Sequence, residues 1–276
     1  MSETWRPRLV ALDIDGTLLK WVEGAGTTYE QIPDTTYAAV RRANDAGCHV
    51  VLASGRSPHG MTRIADLLDL PPEGAERLWV VASNGAVVFR YPDLEVVHEE
   101  TFDARAAVDA VLREHPNALV AVEERGIGYR VNRPFPEGEL SGDLIETEVA
   151  DMVAEQVSRV IIRDPDATAE DFVALAARLG LHGTDYVVGW TAWLDLSPVG
   201  VSKASGLALV ADELSVAQAD VLAIGDGRND IEMLRWAGRG VAMGQAVEEV
   251  RTAADAVTET VFNDGVVVEL SRYFPA

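Results

Sequence analysis

The chain has 276 residues, with 23 Lys+Arg against 45 Asp+Glu, so its formal net charge is −22 with histidine neutral. Hydrophobic residues make up 48% and charged residues 25%, which excludes a disordered chain, and no apolar run approaches the ~18 residues of a membrane span. The acidity argues against nucleic acid or an anionic membrane as the main partner, because both would repel it.

The same charge sets a problem for any phosphate-bearing substrate, which needs something local to reverse the sign. Length suggests about two domains, at ~150 residues each. The single cysteine, Cys48, cannot form an internal disulfide, which suits a reducing compartment. The stretch Met1 to Arg8 leads into an apolar run too short for a signal peptide. A cytoplasmic protein, monomer or homodimer, is expected.

The apolar run Leu9 to Leu12 predicts a strand buried on both faces, ending at Asp13. A polar, glycine-containing stretch, Lys20 to Pro33, precedes a helix over 34–46, with Asp34 or Thr35 as N-cap and Gly47 past its end. A second strand is expected over His49 to Ala53, a helix over 58–69, and a third strand over Leu78 to Ala82, stopped by Ser83-Asn84-Gly85. Strand alternating with helix signals a parallel sheet.

The texture changes after Gly85. Residues 86–101 read as a hairpin around Tyr91-Pro92-Asp93. A helix over 103–114, strands over 118–123 and 127–132, a Pro/Gly-rich loop over 133–142, a strand over 157–163 and a helix over 168–179 follow. After Pro198 the first texture returns: helix 202–213, strand Val221 to Ile224, helix 229–237, a short strand Gly240 to Met243 and a helix near 246–253. The division expected is a discontinuous α/β core, 1–85 and 193–276, interrupted by an α+β insertion, 86–192.

Chemistry concentrates at strand ends. Asp13-Ile14-Asp15-Gly16-Thr17 leaves the first strand, and ligands of parallel sheets sit outside the carboxyl ends of strands. Crowded carboxylates repel unless a proton or cation separates them, and a hard divalent ion such as Mg²⁺ takes oxygen ligands. Gly225-Asp226-Gly227-Arg228-Asn229-Asp230 repeats the theme after another buried strand. Ser54-Gly55-Arg56 ends the second strand, where a hydroxyl and backbone N–H groups could hold phosphate oxygens. Lys203 opens a predicted helix, the end that disfavours a cation. The plainer reading of each is a turn, a cap or a surface lysine; two acidic clusters on one sheet argue against it.

In this order the segments resemble the haloacid dehalogenase-like (HAD) phosphohydrolases, from Leu9 to Met243. The Asp-x-Asp-Gly-Thr start and the run Gly225-Asp226-Gly227 through Met233-Leu234 carry the likeness. Ser83-Asn84-Gly85-Ala86 followed by a long insertion resembles the Cof-like subfamily with a type IIB cap. The resemblance implies a Rossmann-like core with an inserted C2B cap, and hydrolysis of phosphate monoesters, such as sugar phosphates, with Mg²⁺. It implies Asp13 as nucleophile, Asp15 as general acid and base, Ser54 as hydrogen-bond donor to a phosphate oxygen and Lys203 as the cation beside the nucleophile. It implies Asp226, Asp13 and the main-chain carbonyl of Asp15 as metal ligands, with Asp230 orienting them from behind. Gly55, Asn84, Gly85 and Asn229 would lie near the substrate, a small phosphorylated metabolite. A sugar phosphomutase would use the same nucleophile, and a phospho-accepting or ligand-binding module would show no turnover. Arg228 reads as a surface arginine, and Cys48 and His49 as packed residues. Arg125, Arg130, Arg133, Trp190 and Trp193 are the cap's candidates for substrate contact.

Overall fold

The computed structural model describes residues 5–20, 31–168, 170–171, 174–175, 184–188 and 193–276. Its strands form two sheets. The first has eight strands: β1 (Leu9–Leu12), β2 (His49–Ala53), β3 (Leu78–Ala82), β4 (Val87–Tyr91), β5 (Glu95–Glu99), β12 (Val221–Gly225), β13 (Arg239–Ala242) and β14 (Ala256–Val257). Their order is β14-β13-β12-β1-β2-β3-β4-β5. From β14 to β3 neighbours run parallel.

Alternation along β1 explains why this sheet needs helices on both faces. Val10 and Leu12 point into one apolar layer, with Ala39, Val40 and Ala43 of α1 (Asp34–Asp45) and Met61, Ile64 and Ala65 of α2 (Pro58–Leu67). Leu9 and Ala11 point into the other, with Leu207, Val210 and Ala211 of α5 (Lys203–Glu213) and residues of α6 (Ile231–Trp236) and α7 (Glu248–Ala253). The C-terminal helix α8 (Gly265–Leu270), which periodicity did not reveal, joins the first layer through Val266 and Leu270. The N-cap of α1 is Pro33, without a side-chain cap, rather than Asp34 or Thr35. The helix expected over 229–237 opens as a 3-10 turn, Arg228–Asp230.

The second sheet has the order β10-β11-β9-β6-β7-β8. Its members are β6 (Leu119–Glu124), β7 (Gly128–Val131), β8 (Asp143–Glu146), β9 (Val160–Arg163), β10 (Thr184–Val188) and β11 (Trp193–Pro198). Helix α3 (Arg105–Glu114) and the single turn α4 (Val149–Met152) cover one face, around Val108, Val111, Val120, Val122 and Ile162.

Two expected boundaries move. The 86–101 hairpin belongs by hydrogen bonding to the first sheet: β4 lies antiparallel on β3, and β5 on β4. It therefore extends the core sheet rather than opening the insertion. At the other end Trp193–Pro198 is a strand of the second sheet, between β10 and β9, so the core does not resume at 193. Most of the helix expected over 168–179, Trp190 and most of the Lys20 to Pro33 stretch lie outside the described residues.

Candidate active site

The site forms where β1 lies between β2 and β12. Chain connections diverge there to either side, which leaves a crevice at the strands' carboxyl ends. Asp13 follows β1, Ser54 follows β2, Ser83 and Asn84 follow β3, and Asp226 follows β12.

Lys203 reaches the site from the first position of α5. The helix start is fixed by a reciprocal cap: Ser202 Oγ accepts from the Ser205 amide at 3.4 Å, and Ser205 Oγ accepts from the Ser202 amide at 3.0 Å. This turns Lys203 inward, fully buried. The helix end disfavours a cation, but two carboxylates offset that: Lys203 Nζ donates to Asp13 Oδ1 and to Asp230 Oδ1, each at 2.6 Å. Burial opposes the ammonium, yet Asp13 and Asp230 together hold it above the ordinary lysine range. Close helix packing sets the reach. A Cβ on Gly206 would meet Val81 Cγ1 at 2.6 Å, and one on Gly85 (φ +102°) would meet the Ser202 carbonyl at 2.0 Å. Gly85 is thus explained by backbone approach to α5.

Asp13, Asp226 and Asp230 each offer a carboxylate oxygen within 4.8 Å of the others, and all three are buried. Burial, then the Asp230 charge, push the Asp13 carboxyl up to about 7, against the pull of Lys203. Asp226 is raised well above the carboxylate range, by burial first and then by Asp13 and Asp230. Three buried acids facing one ammonium, with only oxygen donors, suit a hard divalent cation. Asp230 has its Oδ1 on Lys203 and its Oδ2 accepting from the amides of Asp226 and Gly227, at 2.9 and 2.8 Å. Its oxygens already serve donors, which fits an orienting place behind the other two.

The Asp15 carboxylate stands apart from this group. Arg56 Nε and Nη2 grip its two oxygens at 2.8 and 2.7 Å. Gly16, which follows Asp15, has φ +84°, and a Cβ there would lie 2.0 Å from Asp226 Oδ2. Gln245 ties this turn to the other acidic loop, donating to the Gly16 carbonyl at 2.6 Å and to Asp226 Oδ2 at 3.1 Å. Ser54 is buried, its Oγ accepting from the Arg56 amide at 3.2 Å. The Thr17 hydroxyl is buried without a protein partner. Asn229 Nδ2 donates to Asn84 Oδ1 at 2.9 Å, and the same oxygen lies beside Gly55.

Sequence reasoning missed four residues here. Arg56 and Gln245 act on the core side. Glu123 and Arg159 come from the insertion, where Ser83 Oγ donates to Glu123 and Arg159 pairs with Asp195. Arg56 had a signal, since it follows Ser54-Gly55; the others are placed by tertiary contact. The cap arginines that are only candidates for substrate contact have other partners: Arg125 with Glu99, Arg130 with Glu124, and Arg133 with the Pro116 carbonyl. Trp193 packs edge-on against Phe135. Arg228 is a half-exposed partner of Glu249, and Cys48 is buried, its thiol pushed up to about 12 by burial.

A family model described as haloacid dehalogenase-like hydrolase matches residues 10–270. The phosphoglycolate phosphatase of Natronomonas pharaonis is 32% identical over 263 residues, covering 95% of this chain and 96% of that protein. Among solved structures, a phosphatase of the haloalkanoate (HAD) superfamily from Bacteroides thetaiotaomicron superposes with a TM-score of 0.78 at 28% identity, covering 100% of this chain and 98% of that one. A sugar phosphatase of HAD subclass IIB shares the fold, with a TM-score of 0.81 at 22% identity over 97% and 99% of the two chains. The six-stranded insertion is accordingly a cap. Among the described residues no helix is long and apolar enough to cross a membrane.

Proposed function

The chain belongs to the haloacid dehalogenase-like hydrolases and is a phosphatase of that family, and from this we propose that it hydrolyses small phosphate monoesters, such as sugar phosphates, through a phosphoryl group carried on Asp13. The observation that carries the reading is the Asp13 carboxylate itself. It is buried at a strand end, hydrogen-bonded by Lys203 at 2.6 Å and crowded by two further carboxylates.

In this mechanism one Asp13 oxygen attacks phosphorus and the ester oxygen leaves, so that one difficult displacement becomes two easier ones. Asp15, outside the acidic group and held by Arg56, donates a proton to the leaving oxygen. It then accepts one from the water that cleaves the phosphoaspartate. Lys203 fixes the nucleophile and balances charge on the phosphoryl oxygens, and Ser54 donates to one of them. Phosphoryl transfer depends mainly on such positioning and charge balance. Asp13, Asp226 and the Asp15 carbonyl would hold Mg²⁺, oriented by Asp230; the ion when bound supplies positive charge to the phosphoryl oxygens. Together with Lys203 such an ion would offset the three carboxylates of this group, so the net charge of −22 would not bar a phosphate at this point.

The test is free phosphate release from a panel of phosphate esters, with and without Mg²⁺, for the wild type and Asp13→Asn. Release that requires both Mg²⁺ and Asp13 supports the reading. Hydrolysis surviving Asp13→Asn would sink the nucleophile assignment, and isomerised sugar phosphate without free phosphate would indicate a mutase instead.

A further inference from the structure

The cap turns a row of polar side chains toward the core. Glu123 on β6 stands in register with Tyr129 on β7. The Glu123 amide donates to the Arg159 carbonyl at 3.2 Å. Arg159 in turn grips Asp195 of β11 with two bonds, Nε to Oδ1 at 2.7 Å and Nη2 to Oδ2 at 2.8 Å, while its Nη1 donates to the Tyr129 hydroxyl at 3.2 Å. Glu123, Tyr129 and Arg159 are all buried. Further along the same sheet face the residues become apolar: Leu119, Ala121, Val131 and Ile161.

This polar row meets the loops that ring Asp13. Ser83 Oγ lies 2.9 and 2.6 Å from the two Glu123 oxygens. Asn84 Nδ2 approaches Asp195 Oδ2 at 3.4 Å, and Asn84 also holds Asn229. A side-chain hydrogen bond links Tyr129 to Ser57, three residues past Ser54. A phosphoryl group on Asp13 sits at the carboxyl edge of the core sheet, so the rest of the ester extends away from that sheet, toward the row.

The row's one guanidinium is already committed. One guanidinium faces two carboxylates, and both of its parallel bonds go to Asp195. Glu123 is held instead by a neutral hydroxyl. We propose that Glu123, Asp195 and Arg159 are specificity-determining residues that favour phosphate esters of neutral, hydroxyl-bearing leaving groups and reject leaving groups carrying a second negative charge. The inference rests on the phosphatase reading above. A substrate hydroxyl can replace Ser83 or Asn84 as donor to these carboxylates at no cost in charge. A substrate carboxylate meets the desolvated Asp195 carboxylate, and the one cation among the described residues of the row, Arg159, is already committed to it, a like-charge juxtaposition that disfavours binding. Burial pushes the Glu123 carboxyl up to about 7, against Arg159 and Ser83 and with Asp195 adding to the rise. Protonated or ionised, it offers an anion no positive charge.

The experiment compares kcat/KM for glycerol phosphate and phosphoglycerate, whose leaving groups differ by a carboxylate, in wild type, Glu123→Gln and Asp195→Asn. Wild type is expected to favour glycerol phosphate by at least about tenfold. Both variants should narrow that ratio, Asp195→Asn more because it frees the Arg159 guanidinium. A wild-type ratio near unity or reversed overturns the proposal. So do ratios that stay put in both variants while their thermal unfolding remains cooperative. If no ester releases phosphate, or if release ignores Asp13→Asn, the phosphatase reading falls and this one with it; release with an unmoved ratio overturns the specificity claim alone.

Discussion

Arg56 holds Asp15 by two parallel hydrogen bonds, Nε to Oδ2 at 2.8 Å and Nη2 to Oδ1 at 2.7 Å. Fork-to-fork pairing fixes the direction of a carboxylate as well as its charge. The Asp15 carboxylate so held lies outside the acidic group of Asp13, Asp226 and Asp230. The pair also couples the loop after β2 to the loop after β1.

If this pair aims the proton donor, Arg56→Ala should lower kcat by about a hundredfold, the low end for losing general acid–base catalysis, with a smaller change in KM. Arg56→Lys restores charge but not the fork, so it should recover only part. Steady-state kinetics on one good ester decides this. An Arg56→Ala enzyme with wild-type kcat would remove Arg56 from the account.

Lys203 offers a stability test. Replacing it with Met leaves Asp13 and Asp230 facing each other without their shared cation. Removing one partner of a buried ion pair costs about 3–5 kcal/mol. The loss should be larger at higher pH, where the raised Asp13 carboxyl is ionised. Urea unfolding of the metal-free protein at two pH values measures it.

The pH dependence of the metal-free site has a definite sign. Asp13 is raised from 3.8 to about 7 by burial and by Asp230, and Asp226 moves the same way. The folded state therefore holds more protons than the unfolded state between these values. Stability from these groups is greatest below the unfolded pKa and declines as pH rises through about 7. Metal requires the ionised carboxylates, so Mg²⁺ binding should release protons and tighten as pH rises. Calorimetry in buffers of different ionisation enthalpy reports the protons released. Affinity independent of pH across this window would contradict the assignment.

Gly16 ties backbone shape to the same site. Alanine there would need a strained positive φ and would place Cβ 2.0 Å from Asp226 Oδ2. Gly16→Ala should weaken Mg²⁺ binding by about tenfold or more, in the range seen when groups supporting a metal ligand are disturbed. Alanine at Gly47, also at positive φ but with open space around it, is the control and should leave binding unchanged.

Much of the core was legible because β1, β2, β3 and β12 are apolar runs ending in polar, glycine-containing motifs. Each boundary coincided with a change of chemistry. The hairpin β4–β5 was recognised as a hairpin, but its sheet was not. Its turn is local, whereas pairing of β4 on β3 is a tertiary choice that neither strand's composition declares. Strand β8 was invisible because every residue in it is exposed and no alternation marks it. Asp13, Asp226, Asp230 and Lys203 were readable from motif, and the structure brings them together. Glu123, Arg159 and Gln245 were not, because each is an ordinary polar residue until another element packs beside it.

The central claim is that phosphate passes through Asp13. Mixing enzyme, Mg²⁺ and a good ester, quenching in acid and mapping the peptides by mass spectrometry tests it directly. The account predicts a phosphoryl group on the peptide bearing Asp13, absent in Asp13→Asn and accumulating in Asp15→Asn if phosphate transfer outpaces hydrolysis there. Turnover in wild type with label on another residue, or with equal label in Asp13→Asn, would contradict it.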